Sequence, residues 1–159
     1  MQGTGFRIAY FLATLAGVGR LPRAPGTAGS LAALPLAWFL WKLPAAAAWA
    51  LVVFAFFVGT AASEIVIRGK GTEDPQDIVI DEAVGIFLAT ATAAGNPWLF
   101  AAAFVVFRIF DIWKPFPISL ADSRVKGGFG AMLDDAIAGG ISLVVIYLVQ
   151  AFSLASSAG

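Results

Sequence analysis

RIFDIWKPFPISLADSRVKGGFGAMLDD, which runs from Arg108 to Asp135, is the charged segment around which this chain is organised. It contains four cations and four carboxylates, whereas the apolar blocks on either side, residues 83–107 and 136–159, contain no charged residue. Ionisable groups are costly to keep beside hydrocarbon, so such a cluster predicts a functional site. A loop that only kept the chain in water would not need the Lys-Pro-x-Pro and Gly-Gly-x-Gly motifs within this segment.

The composition is that of a membrane protein. Of the 159 residues, 60% are hydrophobic and 13% are charged, whereas soluble domains have about 25% charged residues. The formal net charge of zero gives no electrostatic reason to expect nucleic acid as a partner. The sequence has no cysteine and no histidine, which excludes disulfide scaffolds, Cys/His zinc sites and phosphatases that work through imidazole or thiolate. The length predicts a single domain over residues 1–159. The first residues do not show a cationic region, a compact apolar core and a small-residue cleavage site in sequence, so no cleaved signal peptide is expected. The sequence does not indicate an oligomeric state.

Apolar runs separated by polar segments predict an all-α fold, a multi-helical bundle embedded in the membrane with short helices and a charged loop face on one side. Helices are expected at residues 5–16, 31–41, 45–63 and 136–152, with one or two more within 83–107. At about 1.5 Å per residue, the third of these helices would cross most of a hydrocarbon layer of about 30 Å.

Two polar segments are expected to lead into helices. Residues 17–30 are rich in Gly and Pro, which predicts irregular backbone with Thr27 or Ser30 as the N-cap of the next helix. Such a loop can present free N–H groups to a phosphate, although most loops of this kind only cap a helix. Asp74-Pro75-Gln76-Asp77 is typical of a helix start, with Asp as N-cap and Pro at the first helical position.

Asp81 and Glu82 have no such structural explanation. They lie between Ile80 and the apolar run of residues 83–107, where no cap is needed and water is scarce. We therefore interpret this pair as functional acids.

The apolar run of residues 83–107 is either one membrane span or two short helices that break at Gly95-Asn96-Pro97. If the run forms two helices, eight of the ten cations and all ten carboxylates fall on one side of the membrane, and Lys42 lies on the other side. If the run is a single span, the four cations after Phe107 lie on the opposite side of the membrane, and the cations are no longer concentrated on one side. The positive-inside rule therefore favours the hairpin and predicts that the charged side faces the cytoplasm.

The charged segments together predict a site for a metal and a phosphate. Oxygen ligands without histidine or cysteine favour a hard cation, and Mg²⁺ is the natural choice. Neighbouring residues on a helix point about 100° apart, so the two acids of an adjacent pair are not expected to reach one ion equally. The expected carboxylates are Asp81, Glu82, Asp111, Asp134 and Asp135, and the cations facing them are Arg23, Arg108, Lys114 and Lys126.

Three parts of the sequence carry recognisable motifs. They read RAPGTAGSL at residues 23–31, DPQDIVIDEAVG at 74–85, and FRIFDIWKPFPI at 107–118 followed by GGFGAMLDDAIAG at 127–139. Together, in this order and over essentially the whole chain, they resemble the phosphatidylglycerophosphatase A family. The resemblance implies a multi-helical fold and Mg²⁺-dependent removal of the terminal phosphate from phosphatidylglycerophosphate. The product would be phosphatidylglycerol, made at the inner face of a bacterial cytoplasmic membrane by a multi-pass protein.

The individual residues receive roles as hypotheses. The metal ligands would be Asp81, Glu82, Asp134 and Asp135. The catalytic acids would be Asp81, Asp111 and Asp134. Of these, Asp111 either joins the metal ligands or activates the attacking water. The groups that hold the substrate phosphate would be Arg23, Thr27, Ser30, Arg108 and Lys114.

Two other functional classes compete with a phosphatase. A lipid phosphotransferase that uses CDP-linked donors also places carboxylates at helix ends, but its spaced run of Asp and Gly on two successive helices is not found here. A small transporter or channel would also contain acidic residues within the membrane, yet no acidic residue lies in the middle of an expected helix. Phosphate release from a lipid phosphomonoester, with Mg²⁺ and with a chelator, distinguishes these classes.

Overall fold

Helices make up all the regular structure in residues 3–157, the part of the chain that this computed structural model describes. The α-helices in that range are α1 (Thr4–Ala13), α2 (Pro25–Leu40), α3 (Ala45–Lys70), α4 (Ile80–Ala89), α5 (Pro97–Trp113), α6 (Ile118–Arg124) and α7 (Gly127–Ser157). A short 3₁₀ turn, Val18–Arg20, lies between α1 and α2. The predicted all-α fold is therefore confirmed.

Two of these helices, α3 and α7, are long and apolar enough to cross a membrane. Only 28% of the most apolar window of α3 and 22% of that of α7 is buried inside the protein. Large apolar side chains on these helices, such as Phe54, Phe57 and Val144, are more than half exposed. The core helix of a soluble protein would be mostly buried, so these exposed apolar faces indicate association with a membrane.

A break separates α4 from α5, as the hairpin interpretation predicts. α5 begins at Pro97, and the side-chain oxygen of Asn96 accepts the backbone N–H groups of Trp98 and Leu99 at 3.0 and 3.2 Å. This is the standard hydrogen bonding of an N-cap. The predicted break at residues 95–97 is confirmed.

The segment rich in glycine and proline is more helical than predicted. α2 begins at Pro25 with Ala24 as its N-cap, so the prediction of irregular backbone up to residue 30 is wrong. Thr27 and Ser30 lie inside the helix, and neither is its N-cap. Proline suits the first helical position because its φ angle is already helical and its missing N–H is not needed there.

α3 is longer than predicted. It continues to Lys70 instead of ending at residue 63. Glu64 and Arg68 support the added turns, because they form an ion pair one turn apart, with 2.6 Å between Oε1 and Nε. The helix ends where Gly71 adopts a left-handed conformation, with φ of 68°.

The predicted helix start at Asp74 is wrong, because α4 begins at Ile80. Asp77 instead accepts hydrogen bonds from the Tyr10 hydroxyl and from Lys70 Nζ, both at 2.5 Å. These contacts fasten the segment before α4 to α1 and to the end of α3.

The charged segment itself is largely helical, so helix ends form the charged face that was predicted to consist of loops. α5 continues to Trp113, and α7 begins at Gly127 and not at residue 136 as predicted. The Gly128 N–H donates to Glu64 Oε2 at 2.7 Å, and a Cβ at Gly128 would collide with the backbone of α3. Gly128 therefore allows α7 to pack closely on α3 and does not interrupt the helix.

α4 and α7 approach each other at two glycines. A Cβ added at Gly139 would lie 3.0 Å from Gly85 Cα and 3.0 Å from Leu88 Cβ, and closer still to the Gly85 carbonyl oxygen. The neighbouring Gly140 has open space at its Cβ position. Gly139 therefore permits close contact between α7 and α4, and Gly140 takes no part in it. The contact sets the spacing between the acids of α4 and those of α7.

Gly139→Ala is expected to force α4 and α7 apart and to lower the free energy of unfolding by about 1–3 kcal/mol, the usual cost of overpacking. Gly140→Ala is the matched control and is expected to leave stability unchanged or slightly higher, because alanine favours a helix. Thermal unfolding of both variants in one detergent, followed by circular dichroism, checks this. Equal unfolding midpoints would contradict the close contact.

Candidate active site

Parts of four helices meet at one place on the protein. They are the first two turns of α2, the first turn of α4, the last two turns of α5, and the part of α7 near its third turn. The predicted site residues found there are Thr27, Ser30, Asp81, Glu82, Arg108, Asp111, Asp134 and Asp135. Residues from three distant parts of the sequence are thus brought together.

Three carboxylates from three helices form an acid group, which we call the three-carboxylate group. One oxygen each of Glu82, Asp111 and Asp135 lies within 4.8 Å of the other two. Glu82 and Asp135 are buried, with 6% and 5% exposure, and Asp111 is partly buried. Like charges this close and this dry repel strongly unless a cation lies among them. Carboxylate oxygens alone suit a hard cation, so the donor set fits Mg²⁺ or a similar ion.

Arg108 neutralises part of this charge. Its Nη1 lies 2.5 Å from Glu82 Oε2 and 2.8 Å from Asp111 Oδ2. The same guanidinium donates to Ser30 Oγ at 3.2 Å and to Thr27 Oγ1 at 3.3 Å. A substrate phosphate would therefore have to share Arg108 with these carboxylates.

The first two turns of α2 lie against the same carboxylates. The buried Ser30 hydroxyl donates to Glu82 Oε2 at 2.5 Å. A Cβ at Gly26 would collide with Glu82 Oε1, so glycine lets this carboxylate lie against α2 without moving. Gly26 and Thr27 belong to the first helical turn, where backbone N–H groups have no partner inside the helix. The backbone N–H groups that were predicted to bind phosphate are therefore available only in this first turn of α2.

Lys114 joins two further acids. Its Nζ lies 2.5 Å from Asp122 Oδ1 and 2.7 Å from Asp134 Oδ2. Partial burial lowers the pKa of Lys114, but hydrogen bonds to these two carboxylates outweigh that effect and raise the pKa above its ordinary value. Lys114 therefore remains protonated at neutral pH.

All five predicted acids line one polar cavity of about 280 Å³, together with Lys114 and Lys126. Asp122, Glu73 and Asp74 also line it, although the sequence did not assign them to the site. The sequence does contain an indication that Asp122 belongs to the site, because it lies in the charged segment only eight residues after Lys114. The pKa of Asp122 is held below its ordinary value by the hydrogen bond from Lys114.

Some predicted residues lie outside the three-carboxylate group. Asp134 contacts Lys114, and Asp81 Oδ1 accepts the backbone N–H of Glu82 at 2.9 Å. Arg23 is exposed and does not belong to the lining of the acidic cavity. Its contact with a substrate phosphate stays a prediction.

Burial also changes the titration of the α4 acids. It raises the pKa of Asp81 well above the ordinary value, and repulsion from Glu82 adds to this. Burial and repulsion from Asp111 raise the pKa of Glu82, while Arg108 opposes the change. These carboxylates are therefore stabilised by bound protons or by a cation.

Comparison with known proteins identifies the family. The family model described as Phosphatidylglycerophosphatase A matches residues 11–150. The chain belongs to the phosphatidylglycerophosphatase A family. The resemblance carried by its three motifs is thereby confirmed, and so is the prediction that the protein is a phosphatase.

Relatives cover most of the chain. Phosphatidylglycerophosphatase A of Escherichia coli (strain K12) is 38% identical over 141 residues, which cover 88% of this chain and 82% of the relative. Phosphatidylglycerophosphatase A of Haemophilus influenzae is 35% identical over 147 residues, which cover 91% and 90%. A relative from Bacteroides thetaiotaomicron, 38% identical over 161 residues that cover 93% and 91%, is provisionally named a phosphatidylinositol-3-phosphatase. No solved structure matches the chain.

Arg108→Gln is expected to lower the free energy of unfolding by about 3–5 kcal/mol without divalent cations, because it leaves buried Glu82 and partly buried Asp111 without a positive charge beside them. Arg68→Gln is the matched control. It removes an exposed ion pair with Glu64 and should cost less than about 1 kcal/mol. Chemical denaturation in detergent with a chelator measures both. Similar losses for the two variants would show that Arg108 does not stabilise the buried carboxylates.

Proposed function

We propose that this protein removes the terminal phosphate of phosphatidylglycerophosphate, which yields phosphatidylglycerol and phosphate. The observation that carries the proposal is the three-carboxylate group beside Arg108, in a chain of the phosphatidylglycerophosphatase A family. Phosphoryl transfer depends mainly on positioning and on stabilising the charge of the phosphoryl oxygens. Because the substrate is an anion and the site is rich in acids, cations have to lie between them.

We assign a divalent cation, Mg²⁺, to the three-carboxylate group. The oxygen donors of Glu82, Asp111 and Asp135 come from three helices, which suits an ion that prefers several oxygen ligands. When bound, such an ion neutralises phosphoryl oxygens and makes a bound water more acidic. Asp81 and Asp134, the other predicted ligands, line the same cavity. Their carboxylates are proposed to accept the proton of the attacking water, in keeping with their predicted catalytic roles.

The cations of the chain are proposed to bind the substrate phosphate. Lys114 is protonated and is held in the cavity by Asp122 and Asp134, so it can act as a point charge for phosphate. Arg108 presents a planar guanidinium beside the Thr27 hydroxyl, which suits recognition of phosphoryl oxygens.

The proposed location is the cytoplasmic membrane of a bacterium, with several helices in the bilayer and the site open to the cytoplasm. Support comes from the positive-inside rule. The α4–α5 hairpin puts Glu82 and Arg108 at the same end, so cations before α4 and after α5 share one side. Lys42 lies in the connection from α2 to α3, at the other end of α3 from Arg68 and Lys70.

A second candidate substrate is phosphatidylinositol 3-phosphate. It is favoured by one observation, the provisional name of the relative from Bacteroides thetaiotaomicron. Both substrates are phosphomonoesters on a lipid head group, so the same carboxylates and cations would serve either. The lipid phosphotransferase and the transporter or channel are the remaining alternatives, and neither would release phosphate from these lipids.

The purified protein in detergent is expected to release phosphate from phosphatidylglycerophosphate when Mg²⁺ is present and to stop when a chelator is added. Glu82→Gln should lower kcat/KM by more than about 100-fold, because even residues that only orient a metal ligand cost about 10–100-fold. Glu73→Gln is the matched control, since Glu73 lines the same cavity but is exposed and lies outside the three-carboxylate group.

The same assay decides among the alternatives. Faster release from phosphatidylinositol 3-phosphate would move the substrate to the second candidate. Unchanged release in the presence of a chelator would overturn the metal assignment. Absence of release from either lipid would overturn the phosphatase proposal as a whole.

Asp134→Asn is expected to abolish turnover and to leave the fold intact, because Lys114 keeps Asp122 as a partner. Asp122→Asn removes the other, more exposed partner of Lys114 and should retain most of the activity. Rates of phosphate release and unfolding midpoints of both variants check this. Near-normal activity of Asp134→Asn would exclude Asp134 from the metal ligands and from proton transfer.

A further inference from the structure

The outer face of α5 contains a cavity that the proposed chemistry does not use. It is an open groove of about 400 Å³ along this one helix. The residues that line it are Phe104, Val105, Arg108, Ile109, Ile112 and Trp113. Five of the six are apolar, and Arg108 is the charged one.

The apolar wall follows one face of the helix. Val105, Ile109 and Ile112 are spaced four and three residues apart, which places them in a stripe along α5. From the first to the last, the stripe is roughly 10 Å long at about 1.5 Å per residue. Val105 is 52%, Ile109 52% and Ile112 72% exposed. An exposed apolar stripe of this kind marks a surface that contacts lipid, a ligand or another protein. The helices α3 and α7, which are long and apolar enough to cross a membrane, favour lipid here.

Arg108 belongs to both the cavity and the acid site. Its side chain lines the cavity on α5, while its guanidinium contacts Glu82 and Asp111 in the three-carboxylate group. The apolar wall therefore adjoins a cation at the edge of the proposed phosphate site. A phospholipid with a terminal phosphate has the matching order of groups, an apolar chain joined through a short polar linker to an anion.

We propose that the α5 cavity binds an acyl chain of the phospholipid substrate, while the phosphate of the same molecule reaches the acid site past Arg108. The proposal rests on the lipid phosphatase function stated above and extends it by naming where the lipid part binds. Val105, Ile109 and Ile112 are then residues that determine preference for long acyl chains. The head group does not contact them.

Val105→Trp, which fills the cavity, tests the proposal. Its matched control is Val144→Trp on α7, because Val144 is also 52% exposed and does not line the cavity. Phosphate release is measured in mixed micelles with the dioleoyl and dihexanoyl forms of phosphatidylglycerophosphate. For Val105→Trp the KM of the dioleoyl form should rise about tenfold with kcat unchanged, the pattern for loss of binding that is equal in ground and transition state. The KM of the dihexanoyl form should change less than threefold.

Two results would overturn the acyl-chain site. One is a Val105→Trp enzyme with the same KM values as Val144→Trp, and the other is an equal loss on both substrate forms. If Val105→Trp loses its helical circular dichroism, Val105→Phe takes its place in the comparison. Failure of the proposed function looks different, because the unsubstituted protein would then release no phosphate from either form.

Discussion

The ion pair between Glu82 and Arg108 is the contact on which the charged end of the bundle depends. Burying two charges costs more than their attraction returns unless further hydrogen bonds satisfy them. Ser30 and Thr27 supply such bonds to the same pair, and Asp111 gives the guanidinium a second carboxylate. One arginine therefore joins α2, α4 and α5, and the first turns of α2 and α4 must face the end of α5.

Small residues make this convergence possible. A Cβ at Gly26 would collide with Glu82, and a Cβ at Gly139 would collide with the backbone of α4 at Gly85. Gly128 allows the same close approach between α7 and α3. In a membrane the apolar surfaces of helices gain little by leaving lipid, so close backbone packing has to supply much of the attraction between them. The glycines of the motifs are thus required by the packing that places the acids.

The sequence predicted the parts of the fold that depend on neighbouring residues. Asn96 followed by proline marks the start of α5, because an N-cap and a first-turn proline act locally. Pro25 was expected in irregular backbone and Gly128 before the last helix, yet both lie within helices. The first-turn position of Pro25 is a local signal that the interpretation of residues 17–30 missed, whereas the place of Gly128 is decided by its contact with α3. Asp77 was interpreted as part of a helix start, although it pairs with Tyr10. A partner 67 residues away in the sequence leaves no local pattern.

For the site, too, the sequence predicted what depends on neighbouring residues and not what depends on helix packing. The adjacent acids at residues 81–82 and 134–135 were expected to diverge, because neighbouring side chains on a helix point about 100° apart. Which member turns inward depends on how α4 and α7 are rotated against each other, and only the packing determines that. In the structure the second member of each pair joins Asp111. When ionised, this group carries three negative charges, and Arg108 supplies one positive charge. Two negative charges remain, and one divalent cation would neutralise them. The proposed metal therefore has the charge that the group requires.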